Sequence, residues 1–145
     1  MFLVDTSVWI HALRRTGCPA IRDLLRPLIV EDQTAITEWI LLELMTVLSR
    51  SERKDDLIRR FAPVTRLSFE AAWWNQAWEY AACLRKRGIS TTASDCFIAT
   101  VALQHKVVLI HCDADFELMA SILPLQTKDW SKYLPGSLPE SGTNK

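Results

Sequence analysis

Asp5, Glu43, Asp95, Asp113 and Asp115 are acids set among apolar residues, and carboxylates so placed point to cation-dependent chemistry. Asp5 closes the apolar start Met1-Phe2-Leu3-Val4, and Glu43 and Asp95 interrupt apolar helical stretches. Asp113 and Asp115 follow the strand-like run Val107-Val108-Leu109-Ile110. Taking a carboxylate out of water is costly unless a cation, a partner or residual solvent relieves it. Clustered carboxylates also repel one another, so some pKa values should rise, and a divalent cation restores ionisation and fixes positions. An all-oxygen donor set with no Cys or His ligand arrangement suits Mg²⁺ or Mn²⁺.

The elements that must position these acids can be read from periodicity and punctuation. Phe2 to Val4 reads as a short buried strand, followed by a helix from about Ser7 to Arg14 and a turn at Thr16-Gly17-Cys18-Pro19. A helix from Pro19 to about Leu28 carries Ile21, Leu24, Leu25 and Leu28 on one face. Thr34 to Ile36 is a short strand, and Thr37 caps an apolar helix from Glu38 that holds Glu43 at its middle. A charged helix over Arg53 to Phe61, a strand at Val64 to Leu67 and a long helix from Glu70 to Arg87, stopped by Gly88, come next. Ser90-Thr91-Thr92 offers N-caps for a helix over Ala93 to His105. Val107 to Ile110 suggests a strand covered on both faces, Phe116 to Ser121 a short helix, and Leu123 to Leu125 a last strand weakened by Pro124. Strands separated by helices define an α/β domain around a mostly parallel sheet.

In such sheets ligands bind beyond the carboxyl ends of the strands, where strand order reverses. Asp5 and Asp113 each fall just past a strand end, so adjacent strands would send both carboxylates into one crevice. Glu43 shares its stripe with Trp39, Ile40 and Val47, a face suited to burial. Asp95 shares its stripe with Ile98, Ala99 and Ala102, whose small alanines allow close approach to the sheet. Each acid also has a simpler reading. Asp95 favours a helix N-terminus through the dipole, Asp113 and Asp115 suit turns, Glu43 could pair with a base, and Asp5 could cap the next helix. Together they are better explained as one site.

The chain has 145 residues, 49% of them hydrophobic, enough for one compact domain without stapling. We expect the domain to span residues 1–134 and the tail 135–145, which lacks apolar periodicity, to be disordered. Lys plus Arg and Asp plus Glu each number 17, so no whole-molecule field draws the chain to a polyanion or an anionic membrane. Cys18, Cys83, Cys96 and Cys112 are scattered and read as buried thiols rather than disulfides or zinc ligands. The start lacks a basic n-region, and no apolar run approaches the roughly 18 residues of a membrane span. Those features lead us to expect a cytoplasmic protein.

Val4-Asp5-Thr6-Ser7, Glu43-Leu44, Ser94-Asp95-Cys96-Phe97-Ile98-Ala99 and Asp113-Ala114-Asp115-Phe116, in this order and spacing, resemble PIN-domain ribonucleases of the VapC toxin type. The resemblance extends from Met1 to about Trp130. It implies a three-layer αβα domain with strand order 3-2-1-4-5 and Asp5 on the central strand. It also implies metal-dependent hydrolysis of RNA, neutralisation by a VapB-type antitoxin, and a homodimer. Asp5, Glu43, Asp95 and Asp113 match the family's catalytic quartet, and Asp115 its less regular fifth acid. Where many members carry Thr or Ser, two residues before the fourth acid, this chain has His111, either a structural support or a phosphate contact.

On this reading Asp5 and Asp95 bind the principal ion, with Asp113 and Asp115 contributing to it or to a second one. Glu43 binds through water or orients the nucleophile, and the ion would acidify a water and polarise the scissile phosphate. Thr6 or Ser7 either holds Asp5 or a phosphate oxygen, or caps the next helix. Arg50, Arg53, Lys54, Arg59 and Arg60, and separately Arg85, Lys86 and Arg87, form basic regions suited to RNA phosphates or simply to solvent. Trp73 and Trp74 are adjacent and cannot face the same core, so one of Trp73, Trp74 and Trp78 is a candidate for a partner groove. Competing readings are a PIN-type RNA-processing nuclease without a toxin role, a non-catalytic metal-binding interaction module, and a phosphoacceptor receiver. The last would want adjacent acids after the first strand, where Asp5 instead leads into Thr6 and Ser7.

Overall fold

Every strand of the sheet runs in the same direction, and their order is the third, second, first, fourth and fifth in the chain. The computed structural model describes residues 1–137. Of the tail expected from residue 135, residues 138–145 lie outside the described residues.

Strand β1 (Phe2–Val4) is central. Strand β2 (Thr34–Ile36) lies on one side of it and β4 (Val108–His111) on the other. β3 (Thr65–Arg66) and β5 (Thr127–Asp129) form the edges. Between them run α1 (Thr6–Leu13), α2 (Pro19–Val30), α3 (Glu38–Val47), α4 (Lys54–Phe61), α5 (Trp74–Lys86), α6 (Ala93–His105) and α7 (Ala114–Ala120). Right-handed crossovers assign α1 to α4 to one face, because the chain steps outward from β1 to β3. The return from β3 to β4 reverses direction and assigns α5 to α7 to the other face. The helix contacts agree: α1 packs on α2 and α3, and α5 on α6.

The central strands are covered on both faces, so they read as apolar runs. Leu3, Val4, Ile36, Leu109 and Ile110 are buried in a core shared with Val8, Ile40, Leu44, Ile98, Val101 and Phe116. Full burial of each such side chain stabilises by about 1.5–3 kcal/mol. Local chemistry sets the helix ends. Thr37 Oγ1 accepts from the Ile40 amide at 3.0 Å, as its position before the apolar run anticipates. Gly88, at φ 78°, ends α5 in the left-handed conformation, and the Ile89 amide reaches back to the Leu84 carbonyl at 2.9 Å.

Four expectations need correction. The last strand is Thr127–Asp129 rather than Leu123–Leu125. Pro124 has no N–H to donate, and Leu123 and Leu125 are buried as core residues instead. The long helix after Glu70 starts as a 3₁₀ turn over Ala71–Trp73 before α5 proper. The Glu43 stripe is not wholly covered: Ile40 is buried, but Trp39 and Val47 are exposed. All four cysteines are free, but Cys83 is exposed and Cys112 only half-buried rather than buried.

Candidate active site

β1 and β4 are neighbours across the point where strand order reverses, with Val4 in register with Ile110. The Asp5 amide continues that ladder, donating to the Ile110 carbonyl at 2.9 Å. Asp5 is therefore placed by the sheet itself, and it is buried. Its Oδ2 accepts from the Ser7 amide at 2.9 Å and from the Ser7 hydroxyl at 2.5 Å. Ser7 Oγ in turn accepts from the Cys112 amide at 3.0 Å, tying the start of α1 to the end of β4. Burial pushes the Asp5 carboxyl above its ordinary value; the Ser7 bonds oppose this and the nearby Glu43 charge adds to it.

Asp113 caps α7 by accepting from the Asp115 amide at 2.9 Å. It also belongs to a cluster: one carboxylate oxygen each from Asp95, Asp113 and Asp115 lie within 4.8 Å of one another. Ligand oxygens held at roughly 2.0–2.6 Å from a divalent ion span separations of this order, so the three fit a hard cation. Asp95 reaches the cluster from the first turn of α6, where Thr92 Oγ1 accepts from its amide at 3.1 Å. Ile98, Ala99 and Ala102 on its stripe are buried. Burial, and then the charges of Asp113, Asp5 and Asp115, push its carboxyl up to about 6, against the Thr92 bond.

Asp5 stands outside the triangle of three but beside it, since its charge is felt by Asp95. Glu43 forms the other flank, held at both oxygens: the Thr6 hydroxyl donates to Oε1 at 2.9 Å and the Ser94 hydroxyl to Oε2 at 3.1 Å. Thr6 thus holds Glu43 rather than Asp5, and Ser7 takes the role expected for either. His111 is fully buried and supports the loop: its Nδ1 accepts from the Asp113 amide at 3.2 Å. That leaves Nε2–H to donate to Glu117 Oε1 at 2.8 Å, an oxygen that also accepts from Thr127 Oγ1 at 2.6 Å. A ring nitrogen does here for the Asp113 backbone what a hydroxyl could do from the same position.

Sequence patterning did not single out Ser94 or Glu117. Ser94 had one available signal, a hydroxyl next to Asp95 in the same helical turn. Glu117 had none, because its partners lie on β4 and β5.

The basic candidates are all on the surface. Arg50, Arg53, Lys54, Arg59 and Arg60 are exposed near α4, where Arg59 pairs with Asp56, Arg60 with Glu52 at 3.5 Å and Lys54 with Asp55 at 3.9 Å. Arg85, Lys86 and Arg87 are exposed at the C-terminal end of α5 and make no ion pair among the described residues. A groove of about 590 Å³ lies away from the carboxylate crevice, an apolar trough between α5 and the start of α6. Trp74, Trp78, Arg85, Thr92 and Phe97 are among its lining residues, and Trp78 is 65% exposed.

A parallel 3-2-1-4-5 sheet with clustered acids at the reversal of strand order is the arrangement expected of a PIN domain. The PIN domain family model matches residues 2–122, and the chain belongs to this family. Within it the chain is similar to VapC ribonucleases. The chain is 31% identical over 129 residues to VapC ribonuclease Mb1587 of Mycobacterium bovis, covering 87% of this chain and 96% of that one. It matches Ribonuclease VapC11 of Mycobacterium tuberculosis equally well, 31% identical over 87% of this chain and 96% of the relative. The crystal structure of VapBC2 from Rickettsia felis, bound to a DNA fragment from their promoter, shares the fold. Its TM-score is 0.71 at 19% identity, over 89% of this chain and 98% of that chain.

Proposed function

We propose that the protein is a Mg²⁺- or Mn²⁺-dependent endoribonuclease that acts as a VapC-type toxin and is neutralised by a VapB-type antitoxin. The observation that carries this reading is the convergence of Asp95, Asp113 and Asp115 beside Asp5 at the switch point of a PIN-domain sheet. Similarity to VapC ribonucleases over most of the chain supports RNA as the substrate, and the VapBC neighbours support the antitoxin.

Asp5, Asp95, Asp113 and Asp115 would hold the ion through oxygen alone, as a hard cation prefers. When bound, it supplies Lewis acidity to the scissile phosphate and acidifies a water for in-line attack. Glu43, tied at both oxygens, orients the attacking water with its remaining lone pairs. Ser7 keeps Asp5 in place, and the His111 bond to the Asp113 amide keeps the α7 loop in place. Arg85, Lys86 and Arg87 contact phosphates flanking the cut, and Arg50, Arg53 and Lys54 offer a second such contact. A homodimer belongs to the same reading, and the exposed Trp74 and Trp78 beside the apolar trough support a protein contact there.

Asp5→Asn keeps the side chain's shape and its capping acceptor while removing charge. We expect purified wild type to cut total RNA with Mg²⁺ or Mn²⁺ and to stop on chelation, and Asp5→Asn to lose at least about 100-fold in rate. A fully active Asp5→Asn would remove Asp5 from the site.

A further inference from the structure

We infer that Ser94, fixed by the indole of Trp39, is the positioning residue that sets Glu43 against the metal-holding acids; the inference rests on the nuclease reading above. Ser94 Oγ accepts from Trp39 Nε1–H at 2.8 Å and lies 3.1 Å from Glu43 Oε2. An indole nitrogen can only donate, so the serine oxygen must accept there, and its single proton is left for the carboxylate. The direction of the bond to Glu43 is thereby fixed by chemistry rather than by rotation of a free hydroxyl.

The helices explain why the contact is rigid. Trp39 and Glu43 are four residues apart on α3 and share a face, as Ser94 and Phe97, three apart, do on α6. Trp39 rests on Phe97 with ring centroids 5.3 Å apart, and Phe97 stacks on Phe69 at 4.4 Å. Two residues of one helix thus grip two of the other. Ser94 precedes Asp95 in the chain, so the distance from Glu43 to the metal-holding triangle is set within a single turn. Thr6 supplies the second anchor from α1, but alone it would leave Glu43 free to swing about the Oε1 bond.

The test uses the full chain, a fluorescent mixed-sequence single-stranded RNA and saturating Mg²⁺ or Mn²⁺. Ser94→Ala should lower kcat about tenfold, the size of one lost bond to a charged group, with KM within about twofold. Ser94→Thr, which keeps the hydroxyl, should recover to within about threefold of wild type. Trp39→Phe, which keeps the ring but not the donor, should lower kcat by about threefold and add little on top of Ser94→Ala. A wild-type kcat in Ser94→Ala, with the wild type active, overturns the inference and leaves the nuclease reading standing. Inactivity of the wild type with both ions overturns the nuclease reading instead. The ¹⁵N-indole resonance of Trp39, assigned by its loss in Trp39→Phe, then decides the hydrogen-bond chain alone. It must move in both Ser94→Ala and Glu43→Gln, and an unmoved resonance in Glu43→Gln overturns the inference.

Discussion

Asp95 is raised both by its burial and by the acids around it. Its carboxyl is pushed up to about 6 from 3.8, first by burial and then by Asp113, Asp5 and Asp115. A carboxyl raised in the folded state binds more protons there than in the unfolded chain between those two values. Its contribution to stability is therefore most favourable below about pH 4 and is lost as pH rises through about 6. The expected result for the metal-free protein is that Asp95→Asn melts higher than wild type at pH 7 and that the difference closes toward pH 4. Added Mg²⁺ or Mn²⁺ at pH 7 should raise the wild-type Tm and leave that of Asp95→Asn nearly unchanged. Differential scanning fluorimetry across pH reads both, and equal melting of the two proteins at pH 7 would deny the crowding of charge. Cys112, beside the same crevice, is pushed up to about 12 by burial and by Asp129, Asp5 and Cys18, so it stays a protonated, unreactive thiol.

Helix α6 brings Asp95 and Ser94 to the crevice, and its start is set by one hydroxyl. Of Ser90, Thr91 and Thr92, it is Thr92 that accepts from the Asp95 amide, while Thr91 Oγ1 lies 3.3 Å from Cys96 Sγ. Thr92→Ala should cost about 1 kcal/mol by chemical denaturation, and Thr92→Ser only a few tenths. Because the lost bond is made to the amide of a residue proposed to hold the metal, Thr92→Ala should also weaken metal binding in calorimetry. Ser90→Ala, outside the capping geometry, should change neither. Helix α3 teaches the complementary point. Its apolar pattern put Trp39 and Val47 inward, yet both are exposed, and Trp39 is instead spent on Ser94 and Phe97.

The molecule as a whole carries no net charge, so the proposed RNA substrate would have to be met by local patches. Arg85, Lys86 and Arg87 cluster at one helix end, with Arg85 lining the trough beside the start of α6, and are the cations proposed to meet the RNA. Binding of mixed-sequence RNA to Asp5→Asn, expected to hold RNA without cutting it, should weaken with salt at a log-log slope between about −1 and −3. Arg85→Gln should reduce that slope by about one. A salt-independent affinity would exclude phosphate contacts at these residues. Among the described residues no helix is long and apolar enough to cross a membrane.

Most of the architecture was legible because it depends on short-range signals. Apolar runs marked β1 and β4, Thr37, the run Ser90-Thr91-Thr92 and Gly88 marked helix ends, and alternation of helix with strand implied a parallel sheet. Acids just past strand ends then pointed to a crevice. β5 escaped because an edge strand buries little and so carries no apolar run: Thr127, Lys128 and Asp129 look like loop. Side-chain partners escaped for a different reason. Thr6 and Glu43 are 37 residues apart, Ser94 and Glu43 are 51 apart, and Ser7 and the Cys112 amide 105 apart. The sequence alone determined which residues bear charge, which elements form and where each acid falls along its element. Only the tertiary structure decided that Asp95, Asp113 and Asp115 form the tight triangle, that Asp5 is held by Ser7, and that Glu43 is gripped by Thr6 and Ser94. Strand register and helix packing set those distances, and both arise from the burial of a whole core rather than from any local run of residues.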